Sequence, residues 1–458
     1  MDADHRSNRT SALIVTTLGS FLIPFMGSSI NIALPAIGKE FGMNAILLSW
    51  VTTSYLLTVA IFLVPSGRIG DIYGRKRVFL YGFIIYTFSS FLSATSPSAF
   101  SLILFRTLQG IGASMTFSTG VAILTSVFPG GERGKVLGIN VAAVYSGLSC
   151  GPILGGFLIH HFGWRTIFLF NLPFGLLVVF FTFWKLRGEW AEARGERFDL
   201  AGSILYGFVL GTMIYGFSLL PGIWGAFLIL LSVAGTWAFI KLEIRLRNPV
   251  FDMNLLRKNR VFALSNLAAL INYSATFAVS FLLSLYLQLI KGLSPQDAGM
   301  IMVSQPIVQA AFSPLAGRLS DRIEPRIVAS TGMALTAIGL SLFIFLDGET
   351  ATSFIVASLV LIGFGFALFS SPNTNAVMGS VERRFYGVAS GILGTMRATG
   401  MMFSMGMVML LFSLYIGRVQ ITPSHYVLFV KSVRVGFTIF AGLRLVGIFA
   451  SLSRGRVR

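Results

Sequence analysis

The sequence predicts an all-α integral membrane protein with 14 transmembrane helices arranged 6+2+6, two six-helix bundles with a helix pair between them. Three observations carry that prediction: the composition, the spacing of the apolar stretches, and a charged hinge that occurs twice. Of 458 residues, 55% are hydrophobic and only 11% charged, with 43 Phe and 49 Gly. A soluble domain needs far more charge to cover its surface.

Apolar stretches of about 20 residues, the length that crosses a bilayer, run through 11–37, 45–66, 77–96, 98–127, 134–160, 164–187, 199–220, 222–246, 258–290, 296–319, 325–347, 351–379, 385–416 and 427–453. The first follows the polar start MDADHRSNRT and is too long for the apolar part of a signal peptide, so it is read as a retained span. Basic residues gather in alternate connections: Arg6 and Arg9, Arg68 to Arg77, Arg133 and Lys135, Lys185 to Arg197, Lys241 to Arg260, Arg318 to Arg326, Arg383 and Arg384, and the tail after Ser453. The intervening connections hold only Lys39, Arg165, Lys291, Arg418, Lys431 and Arg434. This asymmetry predicts a multi-pass protein of the cell membrane with both termini cytoplasmic. It also accounts for the net charge of +18 without a nucleic-acid partner. The single cysteine, Cys150, excludes an internal disulfide.

Between the second and third spans lies GRIGDIYGRKR, Gly67 to Arg77, and a looser copy, GRLSDRIEPR, begins at Gly317. Gly67, Arg68, Asp71 and Lys76 match Gly317, Arg318, Asp321 and Arg326 at one constant offset, and each copy closes the second span of a six-span set. The repeat divides the chain into an N-terminal bundle (1–187), two inserted helices with their linkers (188–250) and a C-terminal bundle (251–458). Two repeats that rock around a central site are the architecture of alternating access. The fourth span carries LILFRTLQGIGAS, with Arg106, Gln109, Gly110 and Ala113 on one helical face. An arginine at that depth costs at least roughly 2.5 to 3.5 kcal/mol, so it is expected to face a wet cavity or a partner. The fifth span carries GLSCGPILGG, in which Gly147, Gly151, Pro152, Gly155 and Gly156 combine close packing with a helix-bending proline.

These residues resemble the major facilitator superfamily. Gly67, Asp71, Gly74, Arg75 and Lys76 fit its signature between helices 2 and 3, although Ile72 stands where an arginine is usual. The resemblance implies that this stretch, with Arg68 and the copy at Gly317, Arg318 and Asp321, latches the two bundles on the inner side through Asp71. It also implies that Arg106 works near the substrate or proton path, and that the Gly147 to Gly156 motif marks an antiporter. NIALPAI, WRTIFLFNLPFG, FDLAG and NPVFDMNLLRKNRVF extend the likeness to the fourteen-helix drug:proton antiporter branch. One departure stands out: branch members commonly carry an Asp in span 1, nine residues before the Pro of Ala-Leu-Pro, and this chain has Met26.

The 17 acidic residues all fall in connections or near span ends, and His5, His160, His161 and His425 are peripheral as well. The usual intramembrane proton carriers are therefore missing. Neither the acids nor the histidines converge as an intramembrane enzyme would require, and the duplicated hinges favour a carrier over a channel. A central substrate cavity is expected to draw on Asn31, Tyr55, Arg106, Gln109, Tyr145, Asn272, Gln305, Gln309, Asn373 and Arg397. The resulting expectation is a secondary transporter exporting small amphipathic compounds. The alternative is an organic anion or metabolite carrier with weak or no proton coupling, since Arg106, Arg397 and Arg444 leave the membrane interior positive. The expected partners are a small-molecule substrate and the lipid bilayer, with protons a candidate coupling ion. No cofactor, metal or catalytic residue is expected.

Overall fold

The computed structural model describes residues 2–246, 249, 251, 253–382 and 386–455. Of the charges named above, Arg247, Asp252, Arg383, Arg384, Arg456 and Arg458 lie outside the described residues, as do the side chains of Asp2, Asp4, His5 and Arg6. The N-terminal six crossings are α1 (Asp2–Glu40), α2 (Ala45–Tyr73), α3 (Arg75–Ala94), α4 (Ala99–Val127), α5 (Gly130–Phe162) and α6 (Arg165–Trp184). Then come the pair α7 (Leu200–Leu219) and α8 (Ile223–Arg245) and a short helix, α9 (Met253–Lys258). The remaining elements are α10 (Arg260–Leu285), α11 (Pro295–Met302), α12 (Ser304–Ser320), α13 (Pro325–Leu342), α14 (Thr352–Gly379), α15 (Tyr386–Tyr415) and α16 (Tyr426–Ser453). A helix satisfies its own backbone, which lipid cannot do, so nearly every crossing is a continuous helix.

Among the described residues, thirteen helical stretches are long and apolar enough to cross a membrane. The stretch predicted at 296–319 is split between α11 and α12, and neither piece is long enough alone. Pro306 explains the split, because it has no N–H to donate to the Met302 carbonyl one turn back. Several helix starts are fixed locally. Asn44 accepts from the Leu47 amide at 2.8 Å, and Ser98 and Ser101 cap α4 reciprocally.

The packing repeats. In the first half α1 lies on α5 and α6, α2 on α4, and α3 on α4 and α6; in the second α10 lies on α15 and α16, α12 on α14, and α13 on α14 and α16. Helices α7 and α8 pair with each other, and α7 touches both α2 and α15, so the inserted pair lies along the seam between the halves. Because the connections are short, successive crossings alternate in direction. One membrane face therefore collects the hinges at 67–77 and 317–326 and is called the basic face here.

Candidate functional site

Arg106 of α4 is fully buried. Its Nε donates to the Val51 carbonyl of α2 at 3.2 Å, its Nη1 donates to Gln109 Oε1, and its guanidinium carbon lies 4.3 Å from the centre of the Tyr55 ring. Gln109 in turn donates to Ser90 Oγ of α3 at 2.7 Å. Gly110 makes this approach possible, since a Cβ there would collide with Thr58 and the Tyr55 carbonyl. Arg106 Nη2 has no hydrogen-bond partner. Three residues expected at the cavity, Tyr55, Arg106 and Gln109, are thus one cluster.

Three arginines of the second half are bonded to polar side chains of neighbouring helices. Arg397 of α15 is half-buried, donates to Thr374 Oγ1 of α14 at 2.7 Å and sits 5.7 Å from the Tyr273 ring centre of α10. Arg444 of α16 is fully buried and donates to Asn272 Oδ1 of α10. Arg454, also fully buried, reaches Asn373 Oδ1 at 2.8 Å and Ser265 Oγ at 3.2 Å near the basic face. Asn272 and Asn373, expected as separate cavity groups, are each taken up by a different arginine. Asn31 is buried on α1, Gln309 is buried on α12, and Gln305 and Tyr145 are half-buried. Ser90, Tyr273, Thr374 and Arg454 were not legible as site residues, since single polar residues in helices give no pattern until a partner is known.

The glycine motif of α5 works on two sides. Gly147, Gly151 and Gly155, four residues apart, face α1, where a Cβ would meet Phe21, Phe25, Ser28 or Ser29. Pro152 and Gly156 face α11: a Cβ on Gly156 would meet the Pro295 carbonyl, and one on Gly299 would meet the Pro152 carbonyl. Three hydrogen bonds join the halves at this same end, away from the basic face. Ser284 Oγ donates to the Asn31 carbonyl at 2.5 Å, Gln288 Nε2 to the Ile32 carbonyl at 3.0 Å, and the Ala45 amide to the Val419 carbonyl at 3.1 Å. Toward the basic face α5 exposes a wide arc, Gly138, Ile139, Val141 and Ala142, where its other end exposes the stripe Leu154 and Phe157.

At the basic face the charged hinge is wrapped by the linker after α6. Arg75 bonds Asp71 Oδ1 at 2.8 Å and Ser126 Oγ at 2.7 Å, and meets Glu192 through both carboxylate oxygens at 2.8 and 3.0 Å. Glu189 accepts the Lys76 amide at 2.8 Å at the start of α3, Arg68 pairs with Glu196, and the Ala193 amide donates to the Asp71 carbonyl at 2.9 Å. Gly74, at φ 122°, makes the turn that only glycine adopts readily. Buried Ile72 occupies the position of the usual arginine, and the linker glutamates rebuild the charge network. Asp71 is thus bonded within its own half and the linker in this state. In the second copy Gly317 lies against Ser371, while Arg318 and Asp321 are exposed.

Met26, the residue in place of the branch aspartate, is fully buried, and its sulfur accepts from Asn171 Nδ2 of α6 at 3.3 Å. A thioether there carries no proton and needs no counter-ion.

The major facilitator superfamily model matches residues 16–239 and 266–456. The chain is 32% identical over 388 residues to a riboflavin transporter, RibZ, of Clostridioides difficile, covering 84% of each chain. It is 33% identical over 401 residues to a multidrug resistance protein, Stp, of Mycobacterium tuberculosis, covering 86% of this chain and 74% of that one. A crystal structure of a mutant of the peptide transporter POT in complex with alafosfalin superposes with a TM-score of 0.73 over 98% of this chain and 97% of that chain, at 13% identity, a likeness of fold alone. Duplicated six-crossing packing, the charged hinge and the family match converge: the chain is a multi-pass membrane transporter that belongs to the major facilitator superfamily.

Proposed function

We infer that the protein exports small amphipathic compounds by alternating access, with residues 1–187 and 251–458 as the moving bundles and 188–250 as the inserted pair. The observation that carries this reading is the seam at one end. There the Pro152 to Gly156 stretch of α5 meets Gly299 of α11, while the hinge at the other end is bonded within its own half. Such a contact can open and close as a unit around the arginine clusters between the two faces. The basic face is the cytoplasmic one in this reading, with both termini there, so the structure is the state closed to the outside. The two relatives described above are named for riboflavin transport and for multidrug resistance, and export is taken from the α5 motif. Expression in an efflux-deficient host is expected to lower dye accumulation; uptake without export across a broad dye panel would sink the reading.

Proton coupling is weak in this reading or runs through a boundary acid, because Met26 replaces the usual carboxylate and arginine does not release its proton at ordinary pH. Asp71, bonded to Arg75 beside the linker, is the acid placed to act, both as latch for the inward-closed state and as a coupling group. Asp71→Asn is expected to slow transport several-fold with substrate affinity kept, and to make cross-links across the basic face rarer. Wild-type transport by this variant in vesicles with an imposed pH gradient would remove both roles.

A further inference from the structure

Helices α10 and α12–α16 contain no Asp or Glu, yet α15 sets the half-buried Arg397 and α16 the fully buried Arg444 against α10. A cation inside a bilayer is stabilised by a counter-ion, by backbone carbonyls or by water. Neither arginine has a backbone carbonyl among its described bonds: Arg397 uses a threonine hydroxyl and Arg444 the side-chain amide oxygen of an asparagine. Donors are left over in number. Arg397 Nε, Arg444 Nε and Nη2, and Asn272 Nδ2 are buried without hydrogen-bond partners. The two guanidinium groups flank Asn272 and Tyr273, consecutive residues of α10, and Tyr273 meets Phe366 edge to face with ring centres 5.4 Å apart. The patch therefore offers positive charge, N–H groups without acceptors and an aromatic wall. Leaving such donors unmatched costs about 1–3 kcal/mol each, more for charged groups.

We propose that this patch binds the anionic group of the transported compound, so that the cargo is an amphipathic organic anion, an aromatic carboxylate being the simplest form. The proposal deepens the export reading above and rests on it for the word cargo. Arg397, half-buried, makes the contact with the carboxylate. Arg444, held by Asn272, is a positioning residue whose charge raises the local potential. An arginine over an aromatic ring can bond a carboxylate in its plane while keeping the stack. The same pairing recurs in the first half as Arg106 over Tyr55, which also keeps one N–H group unmatched.

The test uses the full-length protein in liposomes at neutral pH, with fluorescein as the aromatic carboxylate and ethidium as the aromatic cation, and measures both binding and counterflow. Fluorescein is expected to bind and exchange in preference to ethidium. Arg397→Gln should weaken fluorescein binding about tenfold or more, the size of one lost charge-assisted hydrogen bond, and Arg397→Lys, which keeps the charge without the planar fork, should recover only part of it. Thr374→Val removes only the hydroxyl that anchors Arg397 and should weaken binding several-fold, which keeps the test informative if Arg397→Gln does not fold. Preference for ethidium, absence of fluorescein binding, or unchanged fluorescein affinity in both Arg397→Gln and Thr374→Val overturns the proposal. Counterflow of both dyes regardless of Arg397 removes the anion site and leaves the export reading intact. Arg397-dependent fluorescein binding without counterflow keeps the site and removes that reading.

Discussion

Gly299→Leu is expected to reduce transport to a small fraction of wild type in a protein that still inserts and folds. A side chain at Gly299 meets the Pro152 carbonyl, which is backbone and cannot swing aside as a flexible side chain can. Overpacking of this kind costs about 1–3 kcal/mol, and here the cost falls only on the state in which α5 and α11 touch. A bias of that size shifts a two-state population roughly 5- to 150-fold. The check is cross-linking by a short bifunctional thiol reagent between cysteines placed at Ile32 and Gln288, where the Gln288 side chain meets the Ile32 carbonyl at 3.0 Å, in a background with Cys150→Ser. Its yield should fall at least several-fold in Gly299→Leu; wild-type yield together with wild-type transport would show that the seam does not gate.

Arg106→Lys carries the second large effect. The guanidinium reaches the Val51 carbonyl and Gln109 at once while lying on the Tyr55 ring. A lysine ammonium cannot reproduce that planar fork, although it keeps the charge. Gln109 Oε1 would lose its donor in a fully buried place, a loss of about 1–3 kcal/mol. Transport is expected to fall more than tenfold, with the thermal unfolding midpoint lowered by several degrees, and Arg106→Gln should behave no better. Transport within twofold of wild type in Arg106→Lys would show that positive charge alone is what α4 requires at this depth.

Much of this was legible in the sequence. The α5 motif announced close packing, and the structure adds that its glycines divide between two partners, Gly147, Gly151 and Gly155 on α1 and Gly156 on α11. Arg106 announced a need for a partner, and Gln109, one turn away, was found by helical spacing. Arg444 belonged to no motif, and its partner Asn272 lies 172 residues away. Asn373, read as a cavity residue, is occupied by Arg454 from the end of the chain. The glutamates of the linker looked like ordinary loop charge until Glu189, Glu192 and Glu196 were seen on the hinge.

The apolar crossings, the repeat of the charged hinge and the clusters of basic residues could all be read from the order of residues. Each of these is local: a segment in lipid must satisfy its own backbone, so its length and apolarity settle its structure without reference to the rest of the chain. Which arginine takes which asparagine, that Met26 meets Asn171, that α7 lies along the seam, and that α5 closes on α11 through Gly299 emerged only from the packed helices. Those choices come from side-chain packing between helices that the bilayer makes equally stable alone, and small residues and unpaired polar atoms acquire their meaning only when the helices meet.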